Sequence, residues 1–174
     1  MSNLSQSEQK VLVAKTAIDT LYKKGLLFSG MKIGLGTGST AMPAVKRLAE
    51  LIDEGKLKDV KAVATSFQTT LACEELKIPV LSLSSSEING KLDLAIDGAD
   101  EISTENHLIK GGGAAHLKEK LVEYNAEKLV IIADESKVVE DLGTVFPLPV
   151  EVIPEARLSV IHELELLGDR KSVV

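Results

Sequence analysis

Cysteine is nearly absent: Cys73 stands alone among 174 residues, so neither an intrachain disulfide nor a cysteine-rich metal site can form. It falls on the apolar side of an expected helix, where a small buried thiol is the natural reading. Tryptophan is missing and aromatic residues make up only 3% of the chain, which argues against stacking platforms for single-stranded nucleic acid. The histidines are His107, His116 and His162, and none belongs to an HxH or HExxH pattern, so a metal site is not expected. No apolar run is long enough to span a membrane, and the opening MSNLSQSEQK is polar, unlike a signal peptide. The expectation is a cytoplasmic enzyme or binding protein. Positive charge is also short: the net charge is −6, so any anion must be met by a local site.

What is present is 44% hydrophobic residues in a recurring order. Ser5 and Glu8 form a capping-box pattern, and Val11, Ala14, Ile18, Leu21 and Tyr22 then make a helical stripe ending near Gly25. Strands are expected over Met31 to Leu35, Val60 to Thr65, Ile78 to Leu83, Leu92 to Ile96 and Leu129 to Ala133. Proline is tolerated near the start of the third, at Pro79. Between them, Val45, Leu48, Leu51 and Ile52 mark one helix, Phe67 to Leu76 a second, and Ala114 to Tyr124 a third with Leu117, Leu121 and Tyr124 aligned. This alternation implies an open, mainly parallel Rossmann-like sheet with helices on both faces, an α/β fold. Right-handed crossovers would gather the loops carrying Thr37, Thr65, Asp97 and Asp134 at one sheet edge. After Asp134 the texture changes. Phe146 to Pro154 is extended and proline-punctuated, and a helix follows with Val160, Ile161, Leu164 and Leu167 facing inward and Gly168 as its stop. Residues 1–143 are expected to form the catalytic α/β domain and residues 144–174 an incomplete small α+β domain, with a further strand beginning at the very end.

The chemistry-bearing residues cluster at the expected edge. Gly34 to Thr40 reads GLGTGST between a strand and a helix, where free N–H groups and a helix N-terminus attract an anion, and Thr37, Ser39 and Thr40 add hydroxyls. It is neither a Walker loop nor GxGxxG. It reads as a phosphate loop or as a tight turn with a Ser/Thr cap. In LDLAIDGADE, an apolar strand runs into Asp97, Asp100 and Glu101. Carboxylates grouped this tightly repel one another and resist burial, so they suit general acid–base work or the holding of sugar hydroxyls. The plain alternative is an acidic turn at a strand end. Lys110, followed by Gly111, Gly112 and Gly113, sets a cation beside exposed backbone that can face a developing oxyanion. Glu119, between Lys118 and Lys120, reads by itself as a solvated helix glutamate. Lys137 reads equally as a surface lysine.

In this order, GLGTGST, Thr65-Ser66, DLAIDGADE, LIKGGGAA, Glu119-Lys120, ADESK and FPLPVEVIP resemble the type A ribose-5-phosphate isomerase family. The resemblance runs from the first helix to about Gly168. It implies an aldose–ketose isomerase that interconverts ribose 5-phosphate and ribulose 5-phosphate through an enediolate, with no metal or organic cofactor. Carried over, Glu119 is the catalytic base, and Asp97, Asp100 and Lys110 assist it. Thr37, Gly38, Ser39, Thr40, Asp97, Gly98, Ala99, Asp100, Lys110, Gly111, Gly112, Gly113 and Lys137 are the substrate-binding positions. The partner is a small sugar phosphate, not nucleic acid or membrane, and a homodimer is expected if the fold tolerates the short C-terminus. Family members continue past this point and return a last strand to the main sheet, so the chain is expected to be C-terminally truncated. An inactive sugar-phosphate-binding protein of the same fold is the alternative, and a nucleotide-binding α/β protein a more distant one.

Overall fold

The computed structural model describes residues 4–168. Helix α1 (Gln6–Lys23) opens with the expected box: Ser5 accepts from the Glu8 N–H, and the Glu8 carboxylate accepts from the Ser5 N–H at 2.8 Å. Strand β1 (Lys32–Leu35), helix α2 (Ala41–Asp53), strand β2 (Lys61–Ala64) and helix α3 (Phe67–Glu75) follow. Strand β3 (Leu94–Asp97) leads into β4 (Glu101–Ser103) and β5 (Leu108–Ile109), then α4 (His116–Tyr124) and β6 (Leu129–Ile131). A single 3-10 turn at Glu135–Lys137 precedes β7 (Val138–Val139), and α5 (Arg157–Leu166) comes last.

The main sheet is parallel, in the order β2-β1-β3-β6. Its strands alternate between two cores, as a sheet covered on both faces requires. Ile33, Leu35, Ala62, Leu94 and Ile96 join Ile18, Leu48 and Cys73 beneath α1, α2 and α3. Val63 and Ala95 face the other way, toward Ile88, Leu92 and Val122 of α4. Cys73 is fully buried as expected, and loss of hydration pushes its thiol up to about 11.

Four expectations need correction. The strand at Ile78 to Leu83 shrinks to one bridge between Ala62 and Val80. The Ala62 N–H donates to the Pro79 carbonyl and the Leu81 N–H to the Ala62 carbonyl, but Pro79 has no N–H with which to extend the ladder. A second, three-stranded sheet, β5-β4-β7, was not anticipated; strands of two or three residues carry no readable period. On α4 the apolar row is outside: Leu117, Leu121 and Tyr124 are exposed, while Glu119 and Val122 are buried. Finally, Val160, Ile161 and Leu164 do share the more covered side of α5 but are only half-buried, Leu167 beyond it is exposed, and no described residue after Asp134 is buried. Among the described residues there is no second layer for its apolar side to meet. The strand expected at the extreme end lies outside the described residues.

Candidate active site

The carboxyl ends of β1, β3 and β6 bring the loops together. Asp97 is the last residue of β3 and is 2% exposed. Its Oδ1 accepts the Gly98 N–H at 2.7 Å and the Thr37 N–H at 3.3 Å, which ties the acidic strand end to the glycine loop. The loop is braced from behind by hydroxyls: Thr37 Oγ1 lies 2.7 Å from Thr65 Oγ1, and Thr69 Oγ1 donates to the Gly36 carbonyl at 2.8 Å. At the start of α2 the Ser39 and Thr40 N–H groups find no acceptor among the described residues. They point the positive end of the helix dipole at whatever occupies the loop.

Lys110 crosses from the end of β5 toward Asp97. Its ammonium donates to the Gly98 carbonyl at 2.6 Å and lies 3.2 Å from Asp97 Oδ2 and 3.0 Å from Glu123 Oε1. Burial favours a neutral amine, but the carboxylates of Asp97 and Glu123 outweigh it and hold the lysine above its ordinary value, firmly charged. Asp100 accepts the Gly112 N–H at 2.8 Å, so the acidic turn also fixes the glycine loop after Lys110. A Cβ on Gly112 would stand 2.4 Å from the Phe146 ring and 2.7 Å from Asp100 Oδ1, which explains why no larger residue fits there.

Helix α4 has no side-chain cap of its own at Ala115. Glu151, from the extended segment, accepts the Leu117 N–H at 2.7 Å instead. The helix is turned so that Glu119 faces the sheet edge, and Val122 fits over Gly34. Glu119 is 7% exposed, and its Oε2 has no hydrogen-bond partner among the described residues. Burial, then the nearby charge of Asp97, raise its carboxyl above the ordinary value, while Lys110 pulls the other way. A buried, unpartnered carboxylate beside an ammonium is suited to taking a weakly acidic proton and returning it.

These groups surround one cavity of about 270 Å³. Thr37, Gly38, Ser39 and Thr40 line one side; Asp97, Gly98, Ala99 and Asp100 the floor; Lys110, Gly111, Gly112 and Gly113 the other side, with Glu119 and Lys137. The structure therefore brings all the sequence-selected positions to one place. It adds Lys10, whose ammonium donates to Ser39 Oγ at 3.0 Å, and Phe146. It also adds Glu123, behind Lys110. Glu123 was legible in principle, because positions four apart on a helix share a face. Lys10 carried no local signal. Glu101 behaves differently from its acidic neighbours: it turns away and accepts the N–H groups of Gly143, Val145 and Phe146 at 2.5, 2.6 and 2.6 Å. Burial alone would raise its carboxyl; these donors outweigh it and hold it below the usual range. A larger groove of about 580 Å³ runs between α1 and β6, but Leu12, Val13, Ala17, Leu21 and Val130 make it apolar. No group of three or more His, Cys, Asp or Glu is placed to hold a metal ion among the described residues.

Residues 61–173 match the family described as ribose 5-phosphate isomerase A (phosphoriboisomerase A). The chain is 61% identical over 165 residues to the ribose-5-phosphate isomerase A of Treponema denticola, covering 95% of this chain and 69% of that one. It is 59% identical to the protein of the same name from Treponema pallidum, covering 95% of this chain and 65% of that one. Among solved structures, ribose 5-phosphate isomerase A of Methanocaldococcus jannaschii superposes with a TM-score of 0.84 at 43% identity, over 94% of this chain and 68% of that one. A D-ribose-5-phosphate isomerase in complex with phospho-erythronic acid superposes with a TM-score of 0.86 at 38% identity, over 95% and 68%.

Proposed function

This chain belongs to the ribose 5-phosphate isomerase A family, and on that premise we propose that it interconverts D-ribose 5-phosphate and D-ribulose 5-phosphate through an enediolate. The observation that carries the reading is the buried, unpartnered Glu119 carboxylate facing the same 270 Å³ cavity as Lys110 and the Thr37–Thr40 loop. The phosphorylated sugar acid bound by one solved relative supports a sugar phosphate as the occupant.

The phosphate sits on the free N–H groups of Ser39 and Thr40, with Lys10 and Lys137 neutralising its charge. That anchor holds the reacting carbons against α4, so binding energy at one end serves orientation at the other. Asp97 and Asp100 hold the sugar hydroxyls and assist ring opening. Glu119 removes the proton from C2 of the open aldose and delivers it to C1, on one face of the enediolate. Lys110 and the Gly111–Gly113 backbone face the oxygen on which negative charge develops.

A cytoplasmic homodimer is part of the same reading, and light scattering on the purified chain tests its assembly.

Incubation with ribose 5-phosphate and detection of the ketose tests the activity. The parent should turn over, and Glu119→Gln should abolish turnover while still binding the sugar phosphate by calorimetry. Binding without turnover in the parent would favour the inactive sugar-phosphate-binding alternative, and near-parental turnover by Glu119→Gln would remove Glu119 from its role.

A further inference from the structure

Glu123 is a buried acid for which the mechanism above has no use. It lies one helical turn after Glu119 on the same face of α4, with its side chain 11% exposed, and it does not line the cavity. Among the described residues its one cationic neighbour is the lysine that serves the substrate.

An ammonium has three N–H groups. Lys110 has three protein acceptors within reach: the Gly98 carbonyl at 2.6 Å, Glu123 at 3.0 Å and Asp97 at 3.2 Å. Neither carboxyl oxygen takes a hydrogen bond from any described residue, so both act on Lys110 through charge. Asp97 raises the carboxyls of Glu119 and Glu123, and Asp100 adds to the field at Glu119. One ammonium cannot balance Asp97, Glu119 and Glu123 together in a dry site, so one carboxyl must keep a proton. It is not Glu119, which must be ionised to act as a base.

We propose that Glu123 is a positioning residue that carries a proton while the enzyme works, backing Lys110 without setting a second anion against its ammonium. The proposal rests on the isomerase reading for its catalytic consequence, but not for the protonation itself. Burial, opposed by Lys110 and reinforced by Asp97, pushes the Glu123 carboxyl up to about 7. The groups facing it are Asp97 from β3, Lys110 from the loop after β5, and Glu119 on its own helix. Above neutrality the proton leaves, the second anion claims Lys110, and the field at the developing oxyanion turns unfavourable.

The test measures kcat and KM for ribose 5-phosphate between about pH 5 and pH 9 in the parent, Glu123→Gln and Glu123→Ala. The parent should lose activity above neutrality. Glu123→Gln mimics the protonated acid, so its ratio of kcat/KM at alkaline to acidic pH should exceed the parent's by about tenfold. Glu123→Ala should lower kcat more than KM, because Lys110 loses a support, and the glutamine variant should restore most of that loss. An alkaline limb in Glu123→Gln identical to the parent's overturns the proposal. Carbon-13 titration of the Glu123 carboxyl in the parent decides the protonation independently: a midpoint near 7 supports it, and one in the ordinary carboxylate range sinks it. An inactive parent with a Glu123 midpoint near 7 would refute the isomerase reading and leave the proton assignment standing.

Discussion

The Asp97 carboxylate fills the space that a side chain at residue 36 would need: a Cβ on Gly36 would stand 1.9 Å from Asp97 Oδ1. The glycine loop and the acidic strand end are thus two halves of one fit, and neither motif works without the other. Gly36→Ala should displace Asp97, cost about 1–3 kcal/mol by overpacking, and weaken sugar-phosphate binding. A urea titration and calorimetry with ribose 5-phosphate check it; unchanged stability and affinity would contradict the fit.

Lys110 is the counter-ion of a buried acidic cluster as well as a candidate substrate contact. Lys110→Met should therefore destabilise the fold by about 3 kcal/mol at neutral pH, because it strands buried charge. The loss should shrink on acidification, as Glu119 and Glu123, whose carboxyls are raised, accept protons in its place. Melting curves of parent and variant at mildly acidic and alkaline pH test this, and a penalty independent of pH would count against the cluster.

Glu101 secures the Gly143–Phe146 segment, and with it Phe146 at the cavity, through three accepted N–H bonds. Its carboxyl lies below the ordinary 4.5 in the fold, so its contribution to stability is present above that value and lost as pH falls through the lower, folded one. Glu101→Ala should lower stability and speed amide exchange at Gly143, Val145 and Phe146. Exchange rates equal to the parent's would mean that these bonds do not hold the segment.

The base must be ionised to act, and Glu119 holds its proton more tightly than an ordinary glutamate. On acidification kcat/KM should therefore fall with a midpoint above the ordinary 4.5. Replacing Asp97 with asparagine removes a neighbouring negative charge and should move that midpoint down, against a large loss in rate. A pH–rate profile with a midpoint at or below 4.5 in the parent would show that a different group is the base.

Sequence alone determined the parallel sheet, its two faces and the edge at which the loops meet. Those follow from local rules: apolar runs too short for helices, helical periods between them, and glycines where the chain must turn. Thr37, Asp97 and Lys110 were legible for the same reason, since strand ends are where an α/β sheet presents polar groups. Glu119 was legible only by resemblance to a family, because its own neighbourhood in the chain, Lys118 and Lys120, reads as solvent-exposed. The tertiary structure decided which way α4 turned. Sequence pattern aligns Leu117, Leu121 and Tyr124 on one side of the helix, but Val122 packs over Gly34 and carries Glu119 and Glu123 inward with it. The charge balance around Lys110 then follows from distances between residues far apart in sequence. Periodicity cannot encode such distances.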